Sequence, residues 1–106
     1  MKRYRINIHR DAESELRAAF EYIRAEAPRN AAAWLSGLYG AIASLEYMPQ
    51  RCSFAREREE LDVDVRQIVF RSHRILFTIE KGSVLVLHIR HARRNTLKRI
   101  RGSDKT

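Results

Sequence analysis

The spacing of hydrophobic residues changes twice along the chain, and this constrains the fold more than any other feature. Between Arg3 and His9, apolar side chains alternate with polar ones, which is the pattern of a half-buried strand. From Asp11 to Leu45 the apolar residues recur every three or four positions, as on one face of a helix. From Val65 onward the chain is rich in β-branched and aromatic residues, which favour strands. The predicted order is one strand, a helical segment and further strands.

A proline divides the helical segment into two helices. Asp11 can cap the first helix by accepting from its exposed amides, and Pro28 ends that helix because it disfavours helical geometry at the preceding residue. Asn30 is a plausible second cap, and the helix that it opens ends before Pro49. The apolar stripes are Leu16, Phe20, Ile23 and Ala27, then Trp34, Leu38, Ala41, Ile42 and Leu45. With so short a connection, the helices should pack antiparallel as a hairpin.

Two glycines, Gly37 and Gly40, lie inside the second helix. Each costs the helix about 0.5–1 kcal/mol relative to alanine. We expect each glycine to compensate for this cost by allowing close approach to a neighbouring helix or sheet.

The second half of the chain predicts a loop and three strands. Residues 50–64 are polar, acidic and without a period, which indicates a long loop. The strands follow over Val65–Arg71, Arg74–Glu80 and Val84 to Arg90 or His91. The turns lie near Ser72-His73 and at Lys81-Gly82, where glycine supplies the positive φ of a hairpin. The last strand is apolar on both faces over residues 84–87, which predicts a central position in the sheet.

The elements predict an α+β fold in the order β-α-α-β-β-β. A helical hairpin would pack on one face of a largely antiparallel four-stranded sheet, and no element remains to cover the other face. By alternation, the last strand turns Leu85, Leu87 and Ile89 towards the helices and Val84, Val86, His88 and Arg90 towards the uncovered face.

The length of 106 residues suits one domain with one core. No apolar run approaches the roughly 20 residues of a membrane span, and the N-terminus lacks a secretory signal, so we expect a cytoplasmic protein. Cys52 is the only cysteine, and neither a glycine-rich phosphate loop nor a His-Glu-x-x-His motif occurs. His88 and His91 alternate to opposite faces, which argues against a shared metal. No metal and no small-molecule cofactor is expected.

The net charge of +8 favours polyanions or an acidic protein partner. Its distribution is uneven, because acidic residues gather between Glu57 and Asp64 while none occurs between Arg90 and Arg101. The cations on the predicted sheet and just beyond it are Arg66, Arg71, His73, Arg74, His88, Arg90, His91, Arg93 and Arg94. Arginine binds two phosphate oxygens with one planar fork, so this group could bind nucleic acid or stabilise phosphodiester cleavage. A solvated basic face, or arginines paired with the acidic loop, would give the same pattern.

Two of these segments resemble a known family. Residues 66–79 (RQIVFRSHRILFTI) resemble the central hairpin of RelE/ParE toxins, and residues 84–94 (VLVLHIRHARR) resemble their last strand and the basic turn after it. The preceding β-α-α order, with Pro49 after the second helix, is also similar. The resemblance covers a toxin domain over residues 1–94 and leaves residues 95–106, which we expect to form a basic, flexible C-terminal tail. It implies the toxin of a type II toxin–antitoxin (plasmid stabilisation) system, neutralised by a cognate antitoxin whose flexible C-terminal segment wraps the toxin.

The family implies two activities. RelE-like members cleave messenger RNA on the ribosome with basic sheet residues and a tyrosine or histidine near the C-terminus, whereas ParE-like members lack that set and inhibit DNA gyrase. Arg74 matches the family's strand arginine, and Arg93 or Arg94 matches the basic position after the last strand. No tyrosine or histidine follows Arg94, and His91 is the nearest substitute. This departure favours the ParE-like branch.

Three functions thus stay open: a gyrase-directed toxin, a ribosome-dependent endoribonuclease, and a non-toxic basic domain that binds nucleic acid or protein. For the ribonuclease, the catalytic candidates are Arg74, His91, Arg93 and Arg94, with an arginine stabilising charge and His91, or alternatively His88, acting as acid or base. The candidates for binding the target or nucleic acid are Arg66, Arg71, His73, His88, Arg90, Lys98 and Arg99.

Overall fold

The computed structural model of the protein describes residues 2–92 and has the predicted order of elements with one addition. The elements are β1 (Arg5–Ile8), α1 (Arg10–Glu26), α2 (Pro28–Ala43), α3 (Glu57–Leu61), β2 (Arg66–Phe70), β3 (His73–Glu80) and β4 (Ser83–His91). Short 3-10 turns lie at Ser44–Glu46 and Pro49–Arg51. The addition is α3, a short helix within the predicted loop. Within residues 2–92, no helix is both long enough and apolar enough to span a membrane.

The four strands form one sheet in the order β1-β4-β3-β2. β4 pairs in parallel with β1 and antiparallel with β3, and β2 pairs antiparallel with β3. The largely antiparallel α+β fold and the central position of β4 are therefore confirmed. Lys81 and Gly82 both have positive φ, as the predicted hairpin turn requires. The turn between β2 and β3 lies one residue earlier than predicted, at Arg71 and Ser72, and Arg71 has a φ of 54°.

The connection between the two helices of the hairpin is shorter than the sequence predicts. His9, not Asp11, caps α1, because its Nδ1 accepts a hydrogen bond from the Asp11 backbone N–H at 3.1 Å. Pro28 is the first residue of α2, so the predicted cap at Asn30 is wrong. Proline is well placed there, since first-turn amides have no acceptor within the helix and a missing N–H leaves nothing unpaired. Ala27 alone joins the two helices.

The core lies between the hairpin and one face of the sheet, which we call the helix face. Its buried members include Leu16, Trp34, Leu38 and Ile42 from the helices and Ile75, Phe77, Val84, Val86 and Ile89 from the strands. Burying one such large apolar side chain stabilises the fold by roughly 1.5–3 kcal/mol. Packing of the hairpin on β3 and β4 is therefore the main source of stability.

A β-bulge in β4 determines which of its residues face the helices. The pairing of β3 with β4 shifts between Leu76, which is opposite His88, and Phe77, which is opposite Val86, so Leu87 is an extra residue. Val86 and Ile89 consequently both lie in the core. For residues 84–87 the orientation predicted by alternation is wrong: Val84 and Val86 face the helices, and Leu87 packs in the second cluster. The prediction was wrong because it extended the alternation from Ile89 back to residue 84 without allowing for the extra residue, Leu87.

Residues 53–65, which we call the covering segment, lie over part of the opposite face, the second face. Ala55 and Val65 pack against Leu76 of β3 in a small cluster of their own. The Ala55 amide donates to the Val65 carbonyl at 2.8 Å, which closes the base of the segment. The prediction that this chain has nothing to cover the second face is therefore wrong over β3. Leu85 and Leu87 of β4 stay only half-buried.

Gly37 allows α2 to lie directly against β2. A Cβ atom at Gly37 would lie 2.5 Å from Cζ of Phe70, whereas a Cβ at Gly40 would meet nothing within 4 Å. The close approach expected at both glycines is thus present at Gly37 and absent at Gly40.

We therefore expect opposite effects from two alanine substitutions in one helix. Gly37→Ala should lower the free energy of unfolding by about 1–3 kcal/mol, because the ring of Phe70 must shift. Gly40→Ala should raise it by up to about 1 kcal/mol, because alanine is the better helix former. Urea denaturation of both variants measures the difference. Equal stability of the two variants would show that Gly37 is not a packing position.

Candidate functional site

Several of the predicted site residues lie at one end of the sheet, where the Arg71–Ser72 turn meets the end of β4: Arg71, His73, Arg74, Arg90 and His91. In the register of β3 and β4, His73 lies opposite His91 and Arg74 lies opposite Arg90. Opposite residues share a face and successive residues alternate, so the histidine pair and the arginine pair lie on different faces. The sheet therefore separates Arg74 from His91, two of the residues proposed for RNA cleavage.

The histidine pair packs on the helix face. The ring of His73 lies 5.3 Å from that of Trp34 and 5.1 Å from that of His91, both in edge-to-face arrangements. Such aromatic contacts are favourable and geometrically specific. Only 6% of His73 is exposed. His73 is thus part of the packing between α2 and the sheet and is not displayed to a target, whereas His91 is half-buried at the rim.

Glu57 of α3 covers the arginine pair on the second face. Its Oε1 accepts from Nη1 of Arg74 at 3.1 Å, and its Oε2 accepts from Nη2 of Arg74 and, at 3.5 Å, from Nη1 of Arg90. The side chains of Arg74 and Glu57 are 8% and 4% exposed, and that of Arg90 is 32% exposed. Gln67 also accepts from Arg74, at 2.9 Å. We call Arg74, Glu57 and Arg90 the arginine–glutamate cluster.

The cluster holds Glu57 ionised. Burial acts to raise the pKa of the Glu57 carboxyl, but the hydrogen bond and charge of Arg74, together with the charge of Arg90, outweigh burial. The pKa falls from an ordinary value of 4.5 to about 2. Paired, hydrogen-bonded carboxylates of this kind show such lowered values. Arg74 is therefore already bound to a carboxylate within the chain.

Arg66 and His88, both predicted to bind the target, make contacts within the fold. Arg66 donates to the carbonyls of Gln50 and Cys52 at 3.0 and 2.6 Å, and its guanidinium lies 4.2 Å from the ring of Phe54. These contacts fix the start of the covering segment to β2.

His88 lies at the edge of β4 beyond the end of β1. Its Nδ1 is 3.2 Å from Oε2 of Glu15 on α1. The other oxygen of Glu15 accepts from the Ile89 backbone N–H at 2.8 Å, which satisfies an edge amide that β1 is too short to reach. His88 thus belongs to the junction between α1 and β4.

Arg71 is the candidate that the structure leaves most accessible. It lies exposed in the turn between β2 and β3, with its guanidinium 5.3 Å from the ring of Phe70. Arg90 is the next most accessible of the described candidates, because about a third of its side chain is exposed beside Glu57. Four further candidates lie outside the described residues: Arg93, Arg94, Lys98 and Arg99. Within residues 2–92, no three histidine, cysteine or acidic side chains lie close enough to hold a metal ion.

Glu57 is the one residue of the site that the sequence prediction did not single out. The signal was present, because an acidic run between Glu57 and Asp64 precedes strands rich in arginine. Pairing of arginines with this run was one of the alternatives, and the structure shows it for Arg74 and Arg90. The sequence gives no means of choosing Glu57 from its four acidic neighbours.

A β-α-α-β-β-β chain with a helical hairpin on one face and arginines at the end of its last strands has the architecture of RelE/ParE toxins. The family model for the ParE toxin of the type II toxin-antitoxin system, parDE, matches residues 6–96, so the chain belongs to the ParE toxin family. A chain of the "Chromosomal ParDE TA system from P. aeruginosa" has the same fold, with a TM-score of 0.69 and 16% identity over 83% of this chain and 95% of that chain. No curated protein sequence matches significantly.

The low pKa of Glu57 predicts a specific loss of stability in acid. The folded-state pKa is below the unfolded value, so the stabilisation is complete above about pH 5 and is lost as the pH falls towards 2. Between pH 7 and pH 3, wild-type protein should lose about 2 kcal/mol more of its free energy of unfolding than Glu57→Gln. Urea denaturation at both pH values tests this. The exposed control Glu60→Gln should follow wild type; if Glu57→Gln also does, the cluster does not stabilise the fold.

Proposed function

We propose that this ParE family chain is a toxin that inhibits DNA gyrase and is neutralised by a cognate antitoxin. The observation that supports gyrase inhibition over RNA cleavage is the position of Arg74 and His91 on opposite faces of the sheet. A general acid or base must lie within hydrogen-bond reach of the proton that it transfers. A ribonuclease that combined His91 with Arg74 would need both at the same phosphodiester, and the sheet lies between them. The other candidate acid or base, His88, is paired with Glu15.

The state of Arg74 supports the same choice. A group that stabilises a cleavage transition state must be free to point at the developing charge. Arg74 is instead paired with Glu57 and nearly fully buried. The remaining hypothesis, a basic domain without toxicity, has less support, because the family of the chain is a family of toxins.

Two cations at the end of the sheet, one exposed and one partly exposed, are the proposed contacts to the target. Arg71 stands in the turn and Arg90 at the end of β4. Ala92 lies at the same end, where its backbone N–H donates to the Ser72 carbonyl at 2.8 Å, and Lys98 and Arg99 add charge further along the sequence. Clustered positive charge of this kind accelerates association with an anionic surface. Action on gyrase implies that the protein works in the cytoplasm.

The proposed antitoxin segment is acidic and partly apolar. The chain carries a net charge of +8, which favours an acidic partner. On the second face, Val69 of β2 is 58% exposed, and Leu85 and Leu87 of β4 are half-buried. A peptide that folds on binding could cover these side chains and pair its carboxylates with nearby arginines.

Purified protein should inhibit gyrase supercoiling, and Arg71→Asn should weaken this inhibition at least tenfold. Asparagine tolerates the positive φ of this turn, so the variant removes the charge and leaves the thermal midpoint unchanged. Arg5→Gln, at the opposite end of the sheet, is the matched control and should inhibit like wild type. Unchanged gyrase activity at micromolar wild-type protein would overturn the proposal. Message ends cut at fixed codon positions after brief expression would favour the ribonuclease.

A further inference from the structure

In the arginine–glutamate cluster, the guanidinium groups of two adjacent strands, β3 and β4, contact one carboxylate. Arg74 binds both oxygens of Glu57, and Arg90 approaches one of them at 3.5 Å. Two arginines around a single anion are the usual protein arrangement for phosphate, because each planar fork can bind two oxygens. The carboxylate of Glu57 thus occupies a position suited to a phosphate group.

Glu57 does not use all the donors that the two arginines offer. The Nε atom of Arg74 is buried and has no hydrogen-bond partner within residues 2–92. The contact of Arg90 lies at the outer limit of hydrogen-bond length. A planar carboxylate presents two oxygens with one charge, whereas phosphate presents more oxygens and, at neutral pH, up to two charges. An unsatisfied buried donor is unfavourable, so an anion that reached Nε would gain a hydrogen bond that Glu57 does not make.

The helix that carries Glu57 has few other attachments. α3 spans only five residues, and its Leu61, together with the following Val63, is largely exposed. The ion pair between Arg58 and Asp64 at 3.0 Å is on the surface, where such pairs contribute little to stability. Ala55 and Val65 anchor the two ends of the segment and not its middle. Glu57 is therefore the residue of α3 that ion pairs tie directly to the strands.

We propose that Arg74 and Arg90 form a phosphate-binding site that Glu57 occupies in the resting protein, so that α3 acts as an internal competitor. Lifting of α3 withdraws the carboxylate and opens the site to a phosphate group, either free or within a nucleic-acid backbone. Local openings of this kind are drawn from the least-packed parts of a fold. The proposal concerns contacts within this chain, so its tests do not depend on whether the protein inhibits gyrase.

The first experiment removes the competitor. Inorganic phosphate is titrated into full-length Glu57→Gln, and the Nε–H signals of Arg74 and Arg90 are followed by NMR. Glu57→Gln should bind phosphate at least tenfold more tightly than wild type. Glu60→Gln removes the same charge from the same helix at an exposed position and should bind like wild type. Adding Arg90→Gln to Glu57→Gln should abolish the gain. Equal affinity in Glu57→Gln and Glu60→Gln would overturn the proposal.

The source of the phosphate is distinguished by a second ligand. A short single-stranded oligonucleotide without terminal phosphates is titrated into Glu57→Gln. Shifts of the same two Nε–H signals would assign the site to phosphodiesters. Shifts with inorganic phosphate alone would assign it to free phosphate.

A measurement on wild-type protein keeps the proposal testable if Glu57→Gln does not fold. The amides of Arg58 and Asp62 donate to carbonyls within the covering segment at 3.1 Å each, so their hydrogen exchange reports its opening. Phosphate should speed their exchange at least twofold relative to chloride at equal ionic strength, because it binds only the opened form. The amide of Ile89, held by Glu15, is the internal control and should not change. Equal exchange in the two salts would contradict the competition.

Discussion

The bulge at Leu87 in β4 is the constraint on which the arrangement of the site depends. Strict alternation from Val86 would turn residues 88 and 90 towards the helices and residue 91 away from them. One extra residue reverses this, so Arg90 stands beside Arg74 on the second face and His91 beside His73 on the helix face. The same residue keeps Ile89 in the core. A single insertion thereby sorts the cations of one strand between a packed histidine pair and an arginine pair, and it places Arg74 and His91 on opposite faces of the sheet.

The arginine pair in turn explains the covering segment. A buried guanidinium without a counter-charge would be strongly destabilising, and breaking such a pair typically costs 3–5 kcal/mol. Arg74 is opposite Val69 on β2 and lies on the face away from the helical hairpin, so its partner comes from the segment that crosses the second face. The chain supplies Glu57 on a helix of five residues whose apolar contacts are few. Charge pairing, more than hydrophobic burial, therefore holds this part of the fold in place.

The parts of the fold that could be predicted are those in which hydrophobic period and burial agree. The alternation over β1, the stripe of Leu16 and Trp34 on the hairpin and the turn at Lys81-Gly82 each follow from a local rule. The bulge could not be predicted. Residues 84–87 are all apolar, so inserting one of them does not interrupt any alternation of polar and apolar side chains. The start of α2 at Pro28 could not be predicted for another reason. Proline disfavours helical geometry at the residue before it but is itself favoured as the first residue of a helix. α3 has too few residues to show any period.

The two faces of the sheet therefore have different capacities for recognition. The helix face is filled by the hairpin and closed at its end by Trp34, His73 and His91, so a partner that uses the sheet must approach the second face, an edge or the turn at Arg71. On the second face, the half over β3 is covered by the segment that carries Glu57, and the half over β4 is not. Arg90 stands at the boundary between these halves, bound to Glu57 and one third exposed. An anionic partner that docks on the open half and binds Arg90 must therefore either share Arg90 with Glu57 or displace that carboxylate.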